Sequence, residues 1–141
     1  MITTEWLYPS HTLWDDLCYA RQQALAEFAL PAEFLCAGDE TSAHLLVLDG
    51  KIPVACGKIS EAGELVYVAV LAEHRGKGFG DFAARLLLRR AFDSGNLRQY
   101  AYVPMSVQNF YERLGFALHA DGEEGYVLLT REGDISSGCR I

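Results

Sequence analysis

The sequence has no apolar run approaching the length of a membrane span, and no basic segment leading into an apolar run near Met1. It also has no Cys-x-x-Cys pair, no internal repeat, no low-complexity stretch and no excess of positive charge. Each absence removes a class of protein. A membrane span needs roughly 20 mostly apolar residues and an export signal needs its own charged and apolar regions, so the expectation is a cytoplasmic protein without a membrane partner. Cys18, Cys36, Cys56 and Cys139 share no spacing with the histidines. They read as structural or incidental thiols rather than a disulfide framework, and no metal site is expected. A formal net charge of −7 repels a phosphate polymer, so nucleic acid is not expected as a partner. What is present is 141 residues, 50% hydrophobic and 22% charged, which is the size and composition of one globular domain.

Taken in order, residues 2–8 suit a short strand broken by Pro9. Thr12 is placed to cap a helix, with Asp15 and Asp16 in its first turn and Leu13, Leu17, Ala20, Ala24 and Phe28 at helical spacing, to about Ala29. Pro31 closes it, and an acidic connection with Glu33, Asp39 and Glu40 follows. Residues 43–48 and 52–59 are apolar runs separated by Asp49-Gly50, a hairpin signal, with Pro53 suggesting an edge or strand-start position. Residues 65–70 read as a buried strand, 81–93 as a helix and 99–103 as a strand. Ser106 is placed to cap a short helix to about Leu114. A last hairpin, 116–119 and 126–130, crosses the acidic loop 121–124, and 131–141 reads as a loose tail. Along the second long helix Asp81, Arg85, Arg89 and Asp93 form a solvated stripe of mixed sign. The order β-α-β-β-β-α-β-α-β-β implies an α+β domain, a mixed and mostly antiparallel sheet with helices on its faces.

The stretch that organises the chain is Arg75-Gly76-Lys77-Gly78-Phe79-Gly80, between an apolar strand and an amphipathic helix opened by Asp81. Backbone N–H groups at such a junction can point at an anion with the positive helix end behind them. Small residues allow close approach, and Arg75 and Lys77 add charge. The spacing G-x-G-x-G is not the G-x-G-x-x-G of a dinucleotide-binding turn, and no Gly-Lys-Ser/Thr follows as in a Walker loop.

Arg-Gly-x-Gly-x-Gly after a Val-Ala-Val strand resembles the acetyl-CoA motif of the GNAT superfamily of N-acetyltransferases. Downstream, Phe110-Tyr111-Glu112-Arg113-Leu114-Gly115-Phe116 resembles that family's second motif. The order of elements is similar to the GNAT pattern over nearly the whole chain. Arg21, Asp39, the AHLLV run at 43–47 and the FYERLGF block resemble its short, ElaA-like members. The resemblance implies a GNAT-type sheet, acetyl-CoA or CoA as cosubstrate and a small amine as acceptor. It implies cofactor contacts at Val68, Ala69 and Val70, at Arg75, Gly76, Lys77, Gly78, Phe79, Gly80 and Asp81, and at Tyr111. The chain departs from the fuller pattern at Pro104, where many members carry Asn, so that contact does not carry over. A homodimer is left open.

Acetyl transfer requires a neutral attacking amine, a donor for the oxyanion and a proton for the departing thiolate. The thiol pKa is near 8.5, so a phenol near 10 can supply that proton, and the resemblance puts Tyr111 beside the sulfur. Read without the resemblance, Tyr111 is a core aromatic on a short helix, and the acid role is the favoured reading. The oxyanion donors would be backbone N–H groups. For the base, Glu64 is the first choice, with its side chain on the face of Val66, Val68 and Val70 by alternation unless a bulge shifts it. His44, Tyr67 or a chain of waters are alternatives. No Cys lies beside a His in either motif, so direct attack in a ternary complex is expected over a covalent route. A CoA-binding sensor without catalysis is the rival from another class, and an enzyme using a different phosphate-bearing cofactor is a third reading.

Overall fold

The computed structural model describes residues 1–28 and 36–133. Four antiparallel strands come first in one sheet: β1 (Ile2–Leu7), β2 (Ala43–Asp49), β3 (Ile52–Ile59) and β4 (Leu65–Val70), in spatial order β1-β2-β3-β4. A second sheet holds β5 (Arg98–Pro104), β6 (Ala117–Asp121) and β7 (Tyr126–Glu132), in the order β5-β7-β6. The two sheets touch through one parallel bridge, Glu64 to Tyr100, with Tyr100 N–H donating to Gly63 O at 3.1 Å. The helices are α1 (Trp14–Leu25), α2 (Phe79–Asp93) and α3 (Gln108–Glu112). The expected α+β architecture with a mostly antiparallel sheet is what the chain adopts.

The sheet carries a core on each face. Leu17, Ala20, Ala24 and Leu25 of α1 pack against Leu46, Cys56, Tyr67 and Ala69. On the other face Ala83, Ala84, Leu87, Leu88 and Ala91 of α2 pack against Leu45, Val47, Ala55, Leu65, Ala101 and Leu129. A central sheet buried on both sides explains why β2 and β3 are continuous apolar runs rather than alternating ones.

The element ends differ from the sequence expectation in physically legible ways. Helix α1 starts at Trp14 with Leu13, not Thr12, at the cap position and no side-chain cap bond, and His11 Nδ1 accepts the N–H of Leu13 at 3.0 Å just before the helix. Its continuation is a 3₁₀ turn at Ala26–Phe28, and the expected helix stop around Ala29 and Pro31 lies outside the described residues. Pro53 is the second residue of β3, the strand-start position that is one of its two expected placements, and it lies in an interior strand beside a register shift in which Val47 and Leu48 face Ala55 and Pro53. Helix α3 starts after Val107, following a 3₁₀ turn at Met105–Val107, so Ser106 is not its cap. Helix α2 ends with Asn96 N–H on Ala91 O and Gly95 N–H on Phe92 O, the paired bonds that Gly95 allows after a helix. Arg131 and Glu132, read from sequence as tail, belong to β7. Arg131 is buried and donates to Gln99 Oε1 at 2.8 Å. Residues 134–141 of the expected tail lie outside the described residues.

Candidate active site

Strand β4 is where the sheet opens. Lys58 pairs with Tyr67 but Ile59 pairs with Leu65, so Val66 is an extra residue, a bulge. Beyond the Glu64–Tyr100 bridge, β4 and β5 diverge and no described strand fills the gap. Leu71 N–H bonds Val54 O across the ladder to β3. Alternation along an antiparallel pair therefore turns the backbone groups of Tyr67, Ala69 and Leu71 toward β3, and those of Val68 and Val70 toward the gap. Of the three β4 residues expected at the cofactor, Ala69 thus has its backbone groups in the ladder with Cys56. The opposite wall follows the same rule. Tyr100 N–H faces β4, so Tyr102 and Pro104 face the gap in turn. Pro104 has no N–H to offer there. A proline is tolerated in β5 because the missing donor falls on the unpaired side.

The gap forms a cavity of about 470 Å³. Val66, Tyr67, Val68, Ala69 and Val70 line one wall, Tyr102, Val103 and Pro104 the other, with Val107, Phe110 and Tyr111 at one side. Tyr111 is buried at 5% exposure, its ring set edge-on to Phe110 and Phe116. Burial pushes its phenol above the ordinary value near 10. Tyr102 stacks on Tyr126 at 5.2 Å and its hydroxyl accepts Glu123 N–H at 2.8 Å, fixing the acidic loop at the cavity mouth.

At the end of β4 the chain makes a 3₁₀ turn, Ala72–His74, and reaches the glycines. Gly76 and Gly78 have φ of +79° and +85°, in the left-handed region, and a Cβ on either would meet nothing within 4 Å. Protein packing therefore does not require glycine there; the backbone conformation and the open space in front of it do. Gly78 immediately precedes α2, so the first amides of that helix face the same open side. At Gly80 the constraint is close approach: a Cβ would lie 3.4 Å from both Phe110 and Val70. The two sequence motifs thus meet at Gly80 and Phe110. Phe79 packs into the core with its ring against His74, Lys77 is exposed, and Asp81 pairs with Arg85 at 2.7 Å. Arg89 and Asp93 pair likewise, so the stripe on α2 is surface charge as its spacing implied.

Of the base candidates, Glu64 and His44 lie off the cavity and Tyr67 lines it. The bulge at Val66 breaks the alternation: Leu65, Val68 and Val70 pack on the α2 side, Val66, Tyr67 and Ala69 on the α1 side. Glu64 is therefore not on the face of Val68 and Val70, and it does not line the cavity. It is half-buried, and burial raises its carboxyl although Lys58 opposes the shift. His44 is fully buried, its Nε2 2.8 Å from Asp39 O and its ring edge-on to Trp14. Burial lowers its pKa, and the neighbouring Lys58 and Arg21 add to that. Tyr67 lines the cavity, but its hydroxyl is buried in the field of Cys56 and Arg21, and burial raises it strongly.

Asp39, expected on an acidic surface loop, is the internal counter-ion of this region. Arg21 donates to both its oxygens at 3.1 and 3.2 Å, and Lys58 Nζ lies 2.8 Å from Oδ1. Lys58 also donates to Ala37 O. Burial alone would raise the Asp39 carboxyl, but the bonds and charges of Arg21 and Lys58 outweigh it and hold it below the usual range. Sequence reasoning missed Glu27, Tyr102, Tyr126 and Phe110 as lining residues. The even-numbered tyrosines of β5 were the available signal, since period-two spacing puts them on one edge.

Two antiparallel sheets splay around one bridge, with a glycine turn at a helix start beside the opening. The Acetyltransferase (GNAT) family model matches residues 3–116, and the chain belongs to that family. No curated protein sequence matches significantly. An acyl-CoA N-acyltransferase from Pseudomonas aeruginosa is similar in structure, with TM-score 0.78, 18% identity, and coverage of 93% of this chain and 99% of that one. Escherichia coli ElaA gives 0.75 at 22% identity, covering 94% and 100%. A GNAT family acetyltransferase from Elizabethkingia anophelis, solved with acetyl-CoA bound, gives 0.71 at 15% identity, covering 93% and 97%. Among the described residues no group of His, Cys, Asp or Glu suits a metal ion, and no helix is long and apolar enough to cross a membrane.

Proposed function

We propose that the protein is an acetyl-CoA-dependent N-acetyltransferase, moving an acetyl group to a primary amine of a small molecule or peptide by direct attack in a ternary complex. The observation that carries this reading is the cavity between β4 and β5, bounded by outward backbone groups of Val68 and Val70 on one wall and by Tyr111 at its side. These residues fit an acyl-CoA. The amides around Gly76, Gly78 and Gly80, with Lys77, suit a pyrophosphate at the start of α2. The open β4 edge suits the amide-bearing arm, which can pair with it like a strand.

In the reaction the amine nitrogen bonds to the thioester carbonyl carbon, the C–S bond breaks and the thiolate takes a proton. Outward N–H groups of β4 donate to the carbonyl oxygen as it gains charge, a task to which Pro104, lacking an N–H, contributes nothing. Tyr111 holds the proton for the sulfur. Its raised pKa keeps it protonated until the thiolate forms. Glu64 reaches the amine through water if it is the base, since it has solvent access and does not line the cavity.

The test is a thermal-shift titration followed by thiol release. Acetyl-CoA and CoA should raise Tm while NAD and ATP do not, and an amine panel with acetyl-CoA should release thiol. Stabilisation without thiol release for any amine would favour the sensor; no stabilisation would remove both.

A further inference from the structure

Arg75 opens the glycine turn, yet its side chain is directed at α1. Its Nε donates to Val70 O at 3.0 Å, on the outward edge of β4, and its Nη2 donates to Ala24 O at 3.3 Å in the last turn of α1. The same Nη2 lies 2.7 Å from Glu27 Oε1. Glu27 and Arg75 are the only residues with formal charge among the described residues lining the cavity. One guanidinium therefore ties the cofactor turn, the open strand edge and the end of α1 together. Its two backbone bonds go to neutral carbonyls, whereas the Glu27 bond is an ion pair between half-exposed groups, 45% and 55% accessible. Such pairs are weak and easily exchanged.

We propose that Glu27 is a positioning residue that competes with the CoA pyrophosphate for Arg75, so that cofactor binding exchanges one anionic partner of Arg75 for another and releases the 3₁₀ end of α1 from the turn. This rests on the acyl-CoA reading above. A pyrophosphate carries more charge than a carboxylate and meets the helix amides as well, so it wins the exchange, at a cost in affinity equal to the pair it displaces. Glu27 thereby weakens cofactor binding and couples it to the wall formed by Ala24 and Leu25.

Calorimetric titration of CoA into wild type, Glu27→Gln, Arg75→Ala and the double variant tests this without reference to activity. Glu27→Gln should tighten Kd about three- to fivefold at low salt, a gap that narrows as salt rises. In the Arg75→Ala background the same substitution should change nothing, and Glu27→Asp should restore wild-type affinity. An unchanged Kd in Glu27→Gln overturns the proposal. A gain that persists without Arg75 also overturns it, because the effect would then be long-range repulsion rather than competition for one group. If wild type itself fails to bind CoA, the functional reading falls first; if it binds and only the Glu27 effect is missing, that reading stands and the competition does not.

Discussion

At the scale of single residues, Tyr111 and Gly78 carry separable expectations. Tyr111→Phe keeps the ring between Phe110 and Phe116 and removes only the hydroxyl, so kcat should fall roughly 10²-fold while the Kd for acetyl-CoA stays within a few-fold. The defect should shrink with an acyl donor whose thiol is more acidic. A near-normal kcat would make Tyr111 a packing residue. Gly78→Asp puts a charge into the open space before α2 at a φ of +85°. It should weaken CoA binding at least tenfold, about 1.4 kcal/mol, with the fold retained, and an unchanged Kd would count against the turn as the anion site. Both residues stood out in the sequence because they belong to short local motifs. Glu64 did not behave so simply. One inserted residue, Val66, reverses the face on which every earlier side chain of the strand falls, and nothing in residues 64–70 marks where that insertion sits.

At the scale of elements, the buried cluster joining α1, β2 and β3 decides how stability responds to pH. His44 has a folded pKa below its unfolded value, so the unfolded chain takes up a proton under about pH 6.5 that the fold refuses. Stability should therefore drop as pH falls below about 6.5, by at most ~1.4 kcal/mol per pH unit for one proton, and His44→Gln should flatten that limb in urea melts. Asp39, held below its usual range, adds a second loss only under about pH 4. Asp39→Asn removes the buried carboxylate that Arg21 and Lys58 share and should cost on the order of 3–5 kcal/mol in the same melts. A loss below about 1 kcal/mol would mean that water reaches the cluster. The strands and long helices were legible because their apolar periods are strong. Their ends were not, since Leu13 rather than Thr12 holds the cap position of α1 and the pairing of Arg131 with Gln99 joins residues far apart in sequence.

At the scale of the whole molecule, the negative charge is unevenly committed. Asp39 is neutralised inside, while Glu40, Asp121, Glu123 and Glu124 are exposed, and Tyr102 fixes Glu123 at the cavity mouth. If these carboxylates draw in a cationic acceptor, kcat/KM should fall as salt rises, and Glu123→Gln with Glu124→Gln should remove most of that dependence. A salt-independent kcat/KM for a cationic amine would leave them as solubilising charge. The fold class could be read from element order alone. The opening between the sheets could not, because it depends on which backbone edge each residue presents after a bulge.

That opening is held against a strong tendency of β-structure. Two parallel strands that already share a bridge would ordinarily zip together, and an unzipped edge invites any passing extended segment. Val66 throws β4 out of register, and Pro104 denies β5 a donor, so neither strand can complete the seam. A chain with Pro104→Ala and Val66 deleted would be expected to close into one continuous sheet, more stable and more prone to aggregate, with no room left for a ligand.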